Sequence, residues 1–309
     1  MKRAFTSVCA VAAVLSVAAT GCTQQTGDGP AAATSATAAK NSPERELTDA
    51  EDFLIGKAEQ LLVKKCMARH GYPYWIDTPL SAEESRASGF VNDDVPWARE
   101  HGYGGRIKQK VAASKKADRN LAYRAELPEG KRAQYVATLA GGPESEALTV
   151  ELPAGRTIES STGGCEAAAR QELYGDSKTW FRADRIAGNL TPLYVPDLVA
   201  DKRFTMALKA WSGCMARAGH DYSDPEEIRS DLPELTEGLT TAEAHTTEVK
   251  LAVAEATCAR ESSLARTARE LERHYRDKLR GRYGEEMATR SRLQHAALAR
   301  AKKITGSGS

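Results

Sequence analysis

The chain has few aromatic side chains (6% of 309 residues), almost no net charge (+1), and no uninterrupted apolar stretch of the ~20 residues that a membrane span needs. Near-neutrality removes the global field that gathers proteins onto nucleic acid, so nucleic acid is not an expected partner. The signatures of several chemistries are also missing. There is no Gly-x-Ser-x-Gly turn, no Gly-Lys-Ser/Thr phosphate loop and no His-Glu-x-x-His. None of His70, His101, His220, His245, His274 and His295 has a second ligand at tight metal spacing, although His245 and Glu248 would share a helix face. No two cysteines are spaced Cys-x-x-Cys, which speaks against zinc. Gly102-Tyr103-Gly104-Gly105-Arg106 is glycine-rich but lacks a preceding strand, and is expected as a surface loop. No catalytic residue, metal or cofactor is therefore expected.

What is present begins at the N-terminus. Lys2-Arg3 precedes an apolar run from Ala4 to Ala19, and Ala19-Thr20-Gly21-Cys22 follows. A charged start with a short apolar core is the pattern of an export signal. Thr20-Gly21-Cys22 resembles the bacterial lipobox, with Ala19 where leucine is usual. That resemblance implies a signal peptide over residues 1–21, diacylation of Cys22, and a membrane partner reached through the lipid on the extracytoplasmic face. The competing reading is an ordinary secretory signal cut near Ala18 or Ala19. Residues 23–43 are Thr, Gln, Gly, Ala, Ser and Pro with almost no large apolar side chain, a composition expected to form a flexible tether behind Cys22.

Beyond the tether the chain repeats itself. Cys66-Met67-Ala68-Arg69-His70-Gly71-Tyr72-Pro73-Tyr74 recurs as Cys214-Met215-Ala216-Arg217-Ala218-Gly219-His220-Asp221-Tyr222, with six of nine positions identical. Each copy follows apolar residues at spacings of three and four, so each cysteine belongs on the buried face of a helix that Gly71 or Gly219 ends. Thr48-Asp49-Ala50-Glu51 is a capping box for the first of these helices. Further cysteines in helical surroundings, Cys165 and Cys258, follow the two copies. Four cysteines in an exported chain allow three pairings, and the duplicated frame favours Cys66–Cys165 with Cys214–Cys258.

The fold expected is mainly α: two disulfide-stapled helical modules, over residues 44–190 and 191–304, with at most a short β element and a disordered tail at 305–309. Residues 75–105 are expected as irregular loop, Leu148–Leu152 as a strand cut short by Pro153, and 241–280 as one long helix. Gly281 and Gly284 are expected to turn that helix into a last one, closing a C-terminal hairpin. Thirteen Lys or Arg against six acids between Ala259 and Ile304 make this end basic. The excess fits either contact with anionic lipid or wall polymer, or a solvated helix face with ordinary ion pairs. Tyr72, Tyr74, Trp75 and Tyr222 are candidates to line a ligand groove or, alternatively, to plug helix ends. The organisation is similar to that of uncharacterised lipoproteins of high-GC Gram-positive bacteria, which implies an envelope location and a stapled helical fold but no activity. The expected function is a non-catalytic binding or accessory protein of the envelope; a wall-active hydrolase with scattered carboxylates, or a transporter accessory subunit, are the alternatives.

Overall fold

The computed structural model describes residues 45–77, 80–86 and 89–306. The signal, Cys22, the tether and residues 307–309 lie outside the described residues. No helix among those described is long and apolar enough to cross a membrane.

The first helix, α1 (Asp49–Arg69), starts as its sequence predicts: Thr48 Oγ1 accepts the Glu51 N–H, and the Glu51 carboxylate accepts the Thr48 N–H at 3.0 Å. It buries Ile55, Ala58, Leu62, Val63, Cys66 and Met67. Short helices follow: α2 (Val95–His101), α3 (Gly105–Lys116), α4 (Arg119–Glu126) and α5 (Glu129–Ala140). The expected strand then pairs with a second, forming an antiparallel hairpin of β1 (Ala147–Glu151) and β2 (Thr157–Ser161) with Val150 opposite Ile158. Pro153 falls in the connecting turn, where its missing N–H costs no ladder bond. Next come α6 (Gly164–Tyr174), α7 (Ser177–Ala187), α8 (Thr191–Ala200), α9 (Lys202–Arg217), α10 (Pro225–Leu235), α11 (Thr241–Glu261), α12 (Leu264–Lys278) and α13 (Arg280–Gly306). The fold is mainly α, as expected.

Both disulfides join the favoured partners, Cys66 with Cys165 and Cys214 with Cys258, at Cα separations of 5.5 and 5.6 Å. The duplicated helix ends have the same backbone bonds. Tyr72 N–H reaches Met67 O at 3.0 Å, and His220 N–H reaches Met215 O at 2.9 Å. Gly71 (φ 77°) and Gly219 (φ 84°) supply the left-handed turn in each. The likeness stops at the partner cysteine: Cys165 opens α6, whereas Cys258 sits near the end of α11.

Two large apolar cores result, and neither is confined to one half of the sequence. One gathers α1, α5 and α6 together with Trp180 of α7 and Leu293, Ala297, Leu298 and Ala301 of α13. The other joins α8 to α12, and receives Phe181 and Ile186 from α7 and Val150 from β1. The last helix of the second sequence half therefore completes the core of the first. Conversely, α2 packs on α11 through Ala98, Ala252 and Ala256, whose small side chains let the two backbones approach.

Three details differ from expectation. Residues 95–101 are helical, with Asp94 capping and Pro96 in the first turn. The expected helix over 241–280 breaks at Ser262–Ser263, where Ser263 is the one described non-glycine residue at positive φ (58°). Gly281 and Gly284 make no turn but lie within α13, which continues through Thr305 and Gly306 because it is packed along much of its length.

Candidate functional site

The break at Ser263 sets α12 against α8. Its buried stripe, Leu264, Ala265 and Leu271 with half-buried Ala268, faces Tyr194 and Leu198. The two alanines are too small to fill the space between the helices. An open cleft of about 780 Å³ results, in the range of roughly 300–1,000 Å³ typical of small-molecule sites. The segment 89–94, Trp97 of α2 and Phe204 at the start of α9 also line it. Phe90 lies 5.4 Å from Phe204, ring to ring. Phe90 and Val199 remain about 40% exposed at the rim, so this apolar lining is reachable from solvent.

Charge in the cleft is arranged in pairs. Arg269 grips Asp93 through two bonds of 3.1 and 2.7 Å, and Arg86 reaches Asp94 at 2.9 Å. Asp94 also accepts the Trp97 N–H at 3.0 Å; this bond, then the Arg86 guanidinium, hold its carboxyl below the usual range. Glu272 is different. It accepts the Tyr194 hydroxyl at 2.8 Å, and among the described residues no cation lies within 4.0 Å of it.

The cleft wall rests on a buried polar cluster. Glu255 of α11 is fully buried; its carboxylate accepts the Tyr103 hydroxyl at 2.6 Å and an Arg229 N–H at 3.2 Å. Burial pushes its pKa up, against the opposing pull of Arg229 and Tyr103. The Trp211 indole N–H meets the Glu255 carbonyl at 3.4 Å. One residue of α11 thus ties the loop after α2 to α9 and α10.

Glu248, two turns earlier on α11, occupies the glycine-rich loop: Tyr103 N–H and Gly105 N–H donate to it at 3.2 and 2.9 Å. The amides that a phosphate would need are already held by a carboxylate, and Gly102 is packed against the Glu248 backbone. The loop expected at the surface is therefore buried in part against α11.

The aromatic candidates are placed elsewhere. Tyr72 meets Tyr135 edge-on at 5.3 Å, Tyr74 donates to Gln60 at 2.8 Å, and Trp75 packs on Tyr123. Asn120 fixes the Trp75 backbone through both its N–H and its carbonyl. These three cover the end of α1, and Tyr222, whose carbonyl accepts the Ser212 hydroxyl at 2.8 Å, lies against the other core. None of the four lines the cleft.

The basic C-terminal residues are partly committed to internal contacts. Arg269, Arg276, Arg280 and Arg290 form ion pairs with Asp93, Glu46, Asp277 and Asp184, and Arg300 bonds the Leu173 carbonyl at 2.5 Å. Arg273, Arg292 and Lys302 are exposed. His101 is brought beside Glu83 and Glu100, each 3.9 Å away, but both carboxylates point largely to solvent.

The cleft is not legible in the local sequence because its parts come from three segments, 86–97, 191–204 and 265–272, with about 60 to 90 residues between successive ones. The one available signal was Asp94-Val95-Pro96, a cap followed by proline, which marks a helix start inside the supposed loop. Compared with known proteins, the chain matches no family model, no curated protein and no solved structure.

Proposed function

We propose that the protein is a lipid-anchored binding protein of the extracytoplasmic face, in which Cys22 holds the chain at the membrane and the cleft between α8, α12 and segment 89–97 takes a small ligand without chemical turnover. The observation that carries the binding role is the cleft itself: an apolar, solvent-reachable space whose four outer charges are already neutralised in pairs. The arrangement suits retention rather than hydrolysis. A general acid needs a carboxyl held protonated near neutral pH, and the bonds to Asp94 act in the opposite direction. Glu255 is pushed upward but sits beneath the wall, out of contact with solvent. The anchor rests on Thr20-Gly21-Cys22 and its resemblance to a lipobox, two or three acyl chains being what stable attachment requires.

Two measurements test this. In cell fractionation the wild-type chain is expected with membranes, and Cys22→Ala is expected to lose acyl labelling; equal labelling of both would end the anchor role. For the cleft, the exported chain in phospholipid nanodiscs is titrated with 4-phenylbutanol, with empty discs as reference. Saturable binding is expected, and Val199→Trp, which places an indole at the exposed rim, is expected to abolish it. Parallel incubation with peptidoglycan fragments is expected to return them uncleaved, and reproducible cleavage would favour the hydrolase.

A further inference from the structure

The cleft is apolar along most of its length and holds one carboxylate, Glu272, that has no cation within 4.0 Å among the described residues. Glu272 lies on α12, one turn beyond Ala268, and among the described residues its side chain accepts a hydrogen bond from Tyr194 alone. The other four charged groups on the lining, Arg86, Asp94, Asp93 and Arg269, cancel as two close pairs. A hydroxyl donated to one carboxylate oxygen orients the group but does not neutralise it, so the negative charge is available beside apolar surface. Water excluded by a ligand filling the cleft would strengthen an interaction with that charge, because screening falls as the local dielectric falls.

From this geometry we infer that the cleft selects small organic amines with an apolar body, the ammonium group set against the Glu272 carboxylate and the body lying between Leu198 and Ala268. This deepens the binding role proposed above and rests on it. Tyr194 is a positioning residue, since its hydroxyl fixes which Glu272 oxygen faces the cleft. An anionic ligand of the same shape would meet Glu272 unfavourably, and the guanidinium groups of Arg86 and Arg269 are already engaged with aspartates.

The test uses three ligands of matched body: 4-phenylbutylamine, 4-phenylbutanol and 4-phenylbutyrate, titrated into the exported chain in nanodiscs at pH 7, with empty discs subtracted. The amine is expected to bind at least tenfold more tightly than the acid, with the alcohol between. Glu272→Gln, which keeps the shape and the Tyr194 bond, is expected to bring amine and acid within about twofold while leaving the alcohol unchanged. Val199→Trp is expected to remove all three. If all three bind alike and Val199→Trp removes them, the cleft is a binding site but the selectivity for amines is wrong. If Glu272→Gln leaves the amine preference intact, the same conclusion holds. Saturable binding by none of the three overturns both the selectivity and the cleft's binding role.

Discussion

Tyr103 and Glu255 are 152 residues apart in the chain and 2.6 Å apart in the fold, hydroxyl to carboxylate. This bond, with Arg229 on the second oxygen, lets a fully buried acid exist beneath the cleft wall. A charge removed from water is tolerated only when its lone pairs are met by donors. Tyr103→Phe removes one donor and leaves the rest of the ring in place. It is expected to lower stability by about 1.5–3 kcal/mol, the usual range for a hydrogen bond to a buried charged group. Urea unfolding checks this through the midpoint at unchanged slope.

The two staples constrain loops of different length, with sequence separations of 99 for Cys66–Cys165 and 44 for Cys214–Cys258. On the chain-entropy account their removal costs about 4.7 and about 4.0 kcal/mol. Paired alanine substitutions should follow that order in thermal unfolding. A non-reduced digest should yield the peptides carrying Cys66 and Cys165 joined, and likewise Cys214 and Cys258.

The matching helix ends predict matching sensitivities. At both Gly71 and Gly219 an added Cβ meets nothing within 4 Å, so the only cost of alanine is the positive φ. Gly71→Ala and Gly219→Ala should each destabilise by about 1 kcal/mol. A much larger loss at one site would show that the two copies are not equivalent in their surroundings.

Acid sensitivity should begin at the start of α1. The Arg45 guanidinium, followed by the Thr48 N–H, lowers the Glu51 pKa to about 2, against an ordinary value near 4.5. A folded-state value below the unfolded one stabilises at pH above about 4.5, and the contribution disappears as pH falls through about 2. The Glu51 side-chain carbon signal in NMR should titrate near that lower value, and Arg45→Ala should raise the midpoint. Glu51→Gln should remove this acid-dependent fraying from the first turn of α1.

Much of the helical framework could be read from local pattern. Thr48 and Glu51 announce the start of α1, and Leu264, Ala268 and Leu271 fall on one side of α12 as their spacing requires. The expected helix over 241–280 does end near Leu279, but it has an internal break, and the two glycines expected to turn the chain do not, because glycine is a weak guide where packing dominates. Gly281 and Gly284 remain helical within α13, while the break falls at two serines, with Ser263 held in the left-handed region. Tyr72, Tyr74 and Trp75 illustrate a different limit. An aromatic following a helix end has the same local sequence whether it faces a ligand or a neighbouring helix, and here Tyr123, Tyr135, Gln60 and Asn120 occupy their contacts.

The sequence by itself determined the mainly helical class and the duplicated cysteine-bearing helix ends, because these depend on spacing, and it favoured one of the three ways in which four cysteines can pair, which the structure then showed. Tertiary structure alone decided that α13 completes the first core, that α2 rests on α11, and that Glu248 closes the glycine-rich loop. The cleft belongs to this second group. Its lining, with the Glu272 carboxylate, comes from segments 86–97, 191–204 and 265–272, and no local preference specifies how far apart packed helices with alanine at their contact will stand.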